Sequence, residues 1–169
     1  MTRMALVTIA VAICAGCSNS NSPTSPAAAS TTGGGTPANF QGQYSGTYRV
    51  NSCAAEGIFV GFCEGSGSTA ETTFPITLSL TQNQSAVTGS VMLGEIAGMF
   101  QGTASGSTLS GTAAMADISD QGLTLNTSIT TWNTTLSGSG LSGGFNVVFR
   151  VTGSTGSATW TATIVQLTR

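Results

Sequence analysis

The sequence predicts an all-β protein that folds as a single up-and-down antiparallel β-barrel of about eight to ten short strands after a disordered tether. First, apolar and hydroxyl side chains alternate with a period of two, as they do in half-buried strands. Second, Gly, Ser and Asn cluster between these runs, as they do in turns. Third, no segment after residue 17 shows helical periodicity.

The strands are predicted from the clearest alternating runs. These are residues 76–81, 87–91, 145–151 and 158–164. Turn signals lie at residues 82–85, 105–107, 120–122, 142–144 and 153–156. We place the first strand at 43–50 and the last at 157–167. Because closure removes both edge strands of a long meander, we predict a barrel rather than an open sheet or a sandwich. Residues 40–169 have the length of one domain.

The N-terminal residues have the features of an export signal. Arg3 precedes an apolar run at 4–13, and the small residues Ala15 and Gly16 come directly before Cys17. The run is shorter than the roughly 20 residues of a transmembrane helix. This region resembles a bacterial lipoprotein signal peptide, with Cys14 where the family usually has leucine. A general secretory signal that is cut elsewhere is the alternative.

The resemblance implies a position in the cell envelope. Residues 1–16 would be removed, and Cys17 would carry a diacylglycerol and often a further acyl chain such as palmitate. Two chains hold a protein on a bilayer where one does not. Because Ser18 rather than an aspartate follows the cysteine, the family pattern favours the outer membrane over the plasma membrane. Residues 17–39 contain no large apolar side chain, which predicts a disordered tether with a span of about 25 Å.

The aliphatic face of the strands is expected to fill the barrel. The predicted inward set is Ile76, Leu78, Leu80, Val87, Val91, Leu93, Leu125, Ile129, Phe145, Val147, Phe149, Trp160 and Ile164. Small residues are expected in phase with it at Gly89, Gly102, Ala104, Gly111, Ala113 and Gly138. Either they leave a cavity for a small apolar ligand, which Leu78, Phe149 and Trp160 would line, or they permit bends in a filled barrel. We favour the filled barrel.

The first strand also carries a resemblance. Residues 42–48 are similar to the opening strand of lipocalin-like and avidin-like barrels, in which a glycine and an aromatic residue begin the meander. The similarity is one of pattern, so no ligand is carried over from those families. The other strand face is mostly Thr and Ser, and the chain has two Trp and two Tyr. We therefore expect the polar face to meet water, opposite to a membrane-embedded barrel.

Cys53 and Cys63 are the two cysteines of the predicted domain. In an exported protein such a pair predicts a disulfide. The bond would close a loop that contains the apolar run 58–62, which we interpret as a strand, a plug over one barrel end or an exposed contact loop. Two thiolates without histidine do not complete a zinc site, so no metal is predicted.

Composition argues against two classes of function. The chain has no histidine and no lysine, so the usual general bases and nucleophile partners are absent, and we predict no enzyme and no cofactor. Asp117 and Asp120 are the residue types of a hydrolytic pair or a calcium site, but turn carboxylates of this kind are usually solvated caps. Four arginines on an acidic chain disfavour nucleic-acid binding.

Three functions remain as hypotheses. The first is a lipid-anchored structural or interaction module that contacts an envelope protein. The second is a carrier of a small apolar ligand inside the barrel. The third, an envelope hydrolase, has the least support.

Overall fold

The computed structural model describes residues 36–65, 73–120 and 123–169. Nine strands run in chain order: β1 Gly42–Ala55, β2 Thr73–Asn83, β3 Ala86–Leu93, β4 Ile96–Ser105, β5 Thr108–Met115, β6 Ile118–Asp120, β7 Leu123–Ser137, β8 Gly140–Val151 and β9 Ala158–Thr168. A 3₁₀ turn, Gly57–Phe59, and a one-turn helix α1, Phe62–Gly65, lie between β1 and β2. The predicted signal peptide, Cys17 and most of the predicted tether lie outside the described residues.

Eight of these strands form one closed antiparallel barrel, as predicted. Consecutive strands pair with each other except β5 and β6, β1 also pairs with β9, and β5 pairs with β7 to close the ring. The short strand β6 adds to the same edge of β7 beyond the end of β5: Ala114 faces Ser128, and Ile118 faces Leu125. The strands at the two edges of the sheet are therefore paired with each other, so closure satisfies backbone groups that an open sheet would leave unpaired.

Tight turns join most of the strands. The first turn residues Gln84, Gly94, Gly106 and Gly138 all have positive φ, which two-residue hairpin turns of the primed types require. Two expectations were wrong here. Residues 142–144 lie inside β8 rather than in a turn, because β8 accommodates Gly143 at φ 136° beside a register shift. Gly138 forms the turn instead of facing the interior.

Burial follows the predicted alternation closely. Of the predicted inward set, these residues are buried: Ile76, Leu78, Leu80, Val87, Val91, Leu93, Ile129, Phe145, Val147, Phe149 and Ile164. Leu125 and Trp160 are only partly buried and pack against this core. The opposite faces carry exposed hydroxyl residues, among them Thr77, Thr88, Thr103, Thr112 and Thr161. Within the described residues, no helix is long and apolar enough to cross a membrane.

Glycines bring neighbouring strands unusually close. A Cβ on Gly89 would lie 2.0 Å from the carbonyl oxygen of Ser79 on β2. Gly102 and Gly111 face each other across β4 and β5, and the ring of Phe100 covers both, within 2.9 Å of each missing Cβ. The glycines therefore allow the strands to bend, and the large side chain of Phe100 fills the space above the two small residues.

Aromatic rings fill the middle of the barrel. Trp132 stacks on Phe145 with ring centroids 5.1 Å apart and meets Phe100 edge-on at 5.6 Å. Phe145 contacts Tyr48 at 5.2 Å, and Tyr48 contacts Phe74 at 5.5 Å. These contacting aromatic side chains come from β1, β2, β4, β7 and β8, so they connect strands from different sides of the barrel. They support the filled interior over a central cavity.

The two ends of the barrel differ. We call the end where β1 begins the N-terminal end and the end where β1 finishes the loop end. At the N-terminal end, Phe40 is fully buried and its N–H donates to Gln82 Oε1 at 2.7 Å. Ala38 N–H donates to the Gly106 carbonyl at 2.7 Å, and Arg169 Nε donates to the Tyr44 hydroxyl at 2.8 Å. Ordered contacts thus extend from Phe40 back into the last residues of the predicted tether.

Candidate functional site

A disulfide joins the end of β1 to helix α1 at the loop end. Cys53 and Cys63 are bonded, with their Cα atoms 5.7 Å apart, which confirms the predicted pair. We call residues 56–65 the plug loop. The bond closes this segment covalently and therefore restricts how far it can leave the barrel.

Two aromatic residues of the plug loop cover the interior. Phe59 is buried, and its ring meets that of Phe62 edge-on at 5.6 Å. Phe62 in turn lies 5.3 Å from the ring of Phe149 on β8 and 6.0 Å from that of Trp160 on β9. The run 58–62 is thus a plug over one barrel end, one of the three predicted possibilities.

The other two apolar residues of this run point away from the barrel. Ile58 is 56% exposed and Val60 is 79% exposed, on either side of buried Phe59. Burying such side chains against a partner is favourable by roughly 25 cal/mol per Å² of apolar surface. The plug loop therefore also fits a second of the three predicted interpretations, that of an exposed contact loop.

The base of the plug loop rests on the β8–β9 connection. Glu56 N–H donates to the Ser157 carbonyl at 2.9 Å, and Ser157 Oγ donates to Glu56 Oε1 at 3.2 Å. Gly57, at φ 63°, approaches Thr155 so closely that a Cβ would lie 2.6 Å from its carbonyl oxygen. These contacts and the disulfide hold Ile58 and Val60 in one place.

Other exposed apolar side chains share this end of the molecule. Ile118 and Leu123 lie in the β6–β7 hairpin, and Met92 lies near the end of β3, all at 41% exposure or more. Val165 is also a large exposed apolar residue of the described part, but it lies toward the opposite end of the barrel, near the end of β9. The loop end is the more apolar of the two ends.

The loop end is also acidic. The described acids Glu56, Glu64, Glu95, Asp117 and Asp120 all belong to its loops and strand ends. Arg49 and Arg150 lie on β1 and β8 nearby, so acids outnumber arginines at this end. Arg169 lies at the N-terminal end, with its guanidinium 5.1 Å from the centre of the Tyr44 ring.

Two buried polar atoms have no hydrogen-bond partner among the described residues. They are Thr127 Oγ1 and Trp160 Nε1. The other tryptophan, Trp132, donates from Nε1 to Thr134 Oγ1 at 2.9 Å. Both residues are neighbours of Phe149: Thr127 is its register partner, and the Trp160 ring centre is 4.7 Å from that of Phe149.

The predicted ligand-lining residues do not form one cluster. Phe149 and Trp160 lie together at the loop end, whereas Leu78 pairs with Tyr44 and Val91 in the other half of the barrel. Alternation places all three on the inner face, but the register separates them along the axis. Thr127 and Phe62 were missed, because a threonine in a Thr-rich strand and a phenylalanine in a loop carry no signal of their own.

The remaining candidates are acids in loops. Asp117 Oδ1 accepts a hydrogen bond from Asn126 Nδ2 at 2.8 Å, and Asn126 Oδ1 accepts one from the Thr152 hydroxyl at 2.8 Å. This arrangement ties the β6–β7 hairpin to the β8–β9 connection. In the described part of the chain, no group of three or more His, Cys, Asp or Glu residues is placed to hold a metal ion.

Comparisons with known proteins give no relative. No protein-family model, curated protein or solved structure matches the chain.

Proposed function

We propose that this protein is a lipid-anchored, non-enzymatic interaction module of the bacterial cell envelope, and that its plug loop binds another envelope protein. The observation that carries the proposal is the exposure of Ile58 and Val60 on a loop that a disulfide, buried Phe59 and partly buried Phe62 hold against the barrel. A preorganised apolar loop loses little entropy on binding, which favours affinity.

The lipid anchor is supported by the sequence. Cys17, after Ala15 and Gly16, has the setting of a lipidated cysteine. Residue 36 enters the N-terminal end of the barrel, and the 14 residues of β1 lead from there to the plug loop, a rise of roughly 45 Å along the strand. An anchor that joins at one end leaves the plug loop at the other end free for a partner.

Charge indicates the kind of partner. An acidic surface is repelled by anionic lipid head groups and attracted by a basic protein surface. The acids around Ile58 and Val60 therefore favour a protein that presents apolar residues surrounded by arginine or lysine.

Two observations favour this function over the alternatives. The rings of Phe100, Trp132 and Phe145 occupy the middle of the barrel, which favours a binding surface over a carrier with a central cavity. Asp117 accepts a hydrogen bond from Asn126, which favours a structural role for that carboxylate over hydrolysis.

Site-specific crosslinking tests the binding surface. A photoreactive amino acid is placed at position 58, 60 or 165 in the native host, and crosslinked proteins are identified by mass spectrometry. Val165 is the matched control, since it is 54% exposed and lies on the barrel wall. We expect one protein at positions 58 and 60 and none at 165. Crosslinking should weaken as salt is raised in a spheroplast or lysate preparation, because exposed charges are screened. If positions 58, 60 and 165 all crosslink to the same set of proteins, the proposal is refuted.

Metabolic labelling tests the anchor. Radiolabelled palmitate should enter the wild-type protein and should be absent from the Cys17→Ser variant. Equal labelling of the two proteins, or labelling of neither, would remove the membrane anchor from the proposal. It would leave the plug loop as a contact surface to be judged by crosslinking.

A further inference from the structure

The geometry points to a binding site for a small neutral molecule beneath the plug loop, where Thr127 and Trp160 hold buried polar atoms without partners. Thr127 is 5% exposed, and neither its Oγ1 nor Trp160 Nε1 forms a hydrogen bond within the described residues. This inference is independent of the proposed function, which concerns the outer surface of the same loop.

Unpartnered buried polar atoms are unfavourable, because burial removes their hydrogen bonds to water and supplies none in return. The barrel satisfies the same indole group elsewhere, since Trp132 donates to Thr134. The two residues that carry such atoms, Thr127 and Trp160, are both neighbours of Phe149 near the loop end. Their concentration there indicates that an external molecule supplies the missing partners.

The surroundings define the chemistry of that molecule. Trp160 Nε1 can only donate, whereas the Thr127 hydroxyl can donate or accept, so an oxygen atom with lone pairs suits either group. Phe62, Phe149 and Trp160 contribute ring surfaces, which favour an aromatic or other flat apolar body.

Charge and access limit the choice further. Arg49 and Arg150, the arginines near this end, are exposed on the outer face and cannot pair with a buried carboxylate. The ligand is therefore neutral. It reaches the polar atoms by displacing the Phe62 ring, and the Cys53–Cys63 bond next to Phe62 restricts that movement. The assigned class is a small neutral aromatic alcohol or carbonyl compound.

Nuclear magnetic resonance tests the site, because the two tryptophans supply a reporter and an internal control. Benzyl alcohol is added to the ¹⁵N-labelled disulfide-bonded protein while both indole N–H resonances are followed. We expect the Trp160 resonance to shift and to saturate and the Trp132 resonance to stay in place. Toluene, which has the same ring without an oxygen, should bind about tenfold more weakly, as expected for the loss of a hydrogen bond.

Matched variants test the assigned residues. Thr127→Val keeps the shape of the side chain and removes its hydroxyl, so the affinity for benzyl alcohol should fall about five- to tenfold. Thr135→Val, at an exposed position of the same strand, should leave the affinity unchanged. The folded state of each variant is checked by its unshifted Trp132 resonance.

Three outcomes would overturn the inference. One is a Trp160 resonance that does not respond up to the solubility limit of benzyl alcohol. The second is equal affinity for benzyl alcohol and toluene, or for wild type and Thr127→Val. The third is a buried water only, seen as magnetisation exchange between water and the Trp160 indole with no competition by benzyl alcohol.

Discussion

At the scale of single residues, Thr127 and Thr134 show opposite uses of a buried hydroxyl. Both lie on β7 and both are almost fully buried. Thr134 Oγ1 accepts a hydrogen bond from Trp132, whereas Thr127 Oγ1 has no partner among the described residues. One hydroxyl thus stabilises the core, and the other costs stability.

Replacing each threonine by valine should therefore change stability in opposite directions. Thr127→Val should raise the free energy of unfolding by about 1 kcal/mol, because it removes an unpartnered buried hydroxyl. Thr134→Val should lower it by about 1 to 3 kcal/mol, because it leaves the Trp132 N–H without an acceptor. Urea unfolding followed by far-ultraviolet circular dichroism measures both. Equal changes of the same sign would contradict the hydrogen-bond assignment.

Tyr48 introduces a dependence on pH. Burial raises the pKa of its phenol to about 12, because the charged phenolate loses solvation in the core. In the unfolded chain the phenol has a pKa of about 10, so the unfolded state loses its proton first. The contribution of Tyr48 to the free energy of unfolding is therefore fully present below pH 10 and is lost as the pH rises toward 12.

A Tyr48→Phe variant isolates this effect. The wild-type protein should lose about 2 to 3 kcal/mol of unfolding free energy between pH 9 and pH 12 through this group, and the variant should lose that much less. Unfolding midpoints in urea are compared at pH 8, 10 and 11.5. Parallel pH profiles for the two proteins would show that Tyr48 is not the group responsible.

At the scale of secondary-structure elements, the separation between strands is set by glycines as much as by large side chains. Gly89 on β3 lets β2 approach, and a Cβ there would meet the Ser79 carbonyl oxygen at 2.0 Å. A backbone oxygen cannot move aside as the end of a side chain can. At Gly140, by comparison, the nearest atoms to an added Cβ lie 3.6 Å away or more.

Alanine at these two glycines should have very different effects. Gly89→Ala should destabilise the barrel by about 1 to 3 kcal/mol or prevent folding, because the β2–β3 pairing must shift. Gly140→Ala should change stability by less than about 0.5 kcal/mol. Thermal unfolding of both variants, with soluble yield as a second measure, gives the comparison. A tolerated Gly89→Ala would mean that the strands are farther apart than described.

At the scale of the whole molecule, the two ends of the barrel present different surfaces. Phe40, Gln82 and Arg169 close the N-terminal end with buried contacts and hydrogen bonds. The loop end exposes apolar side chains and carries the described acids. The proposed contact with a partner is therefore assigned to the loop end.

Truncation tests where the folded domain begins. Removing residues 1–35 should leave the unfolding free energy within about 0.5 kcal/mol of the longer chain, because their sequence predicts a signal and a tether without large apolar side chains to pack on the barrel. Removing residues 1–41 also deletes Phe40 and should cost about 3 to 5 kcal/mol, the usual cost of losing a buried phenylalanine. Chemical unfolding of the two shortened proteins measures the difference. Equal stabilities would place the start of the domain after Phe40.

Much of this architecture follows from local patterns. Alternation with period two identifies the inward face of each strand, and the need to protect edge strands predicts closure. The Cys53–Cys63 bond follows from cysteine number and an exported setting. Errors occurred where glycines allow more than one structure: Gly138 forms a turn, and Gly143 lies in a strand, although both belong to similar Gly-Ser segments.

By itself, then, the sequence determined the all-β class, the inner faces of the strands and the disulfide partners, whereas the lipid anchor stays a prediction. Only the tertiary structure decided which residues meet at each end. It placed Phe62 over Phe149, made both Thr127 and Trp160 neighbours of Phe149, and collected five acids from separate parts of the chain at the loop end. The physical reason is that alternation defines the face on which a side chain lies. Its position along the barrel depends on strand register, which is set only when all eight strands close together.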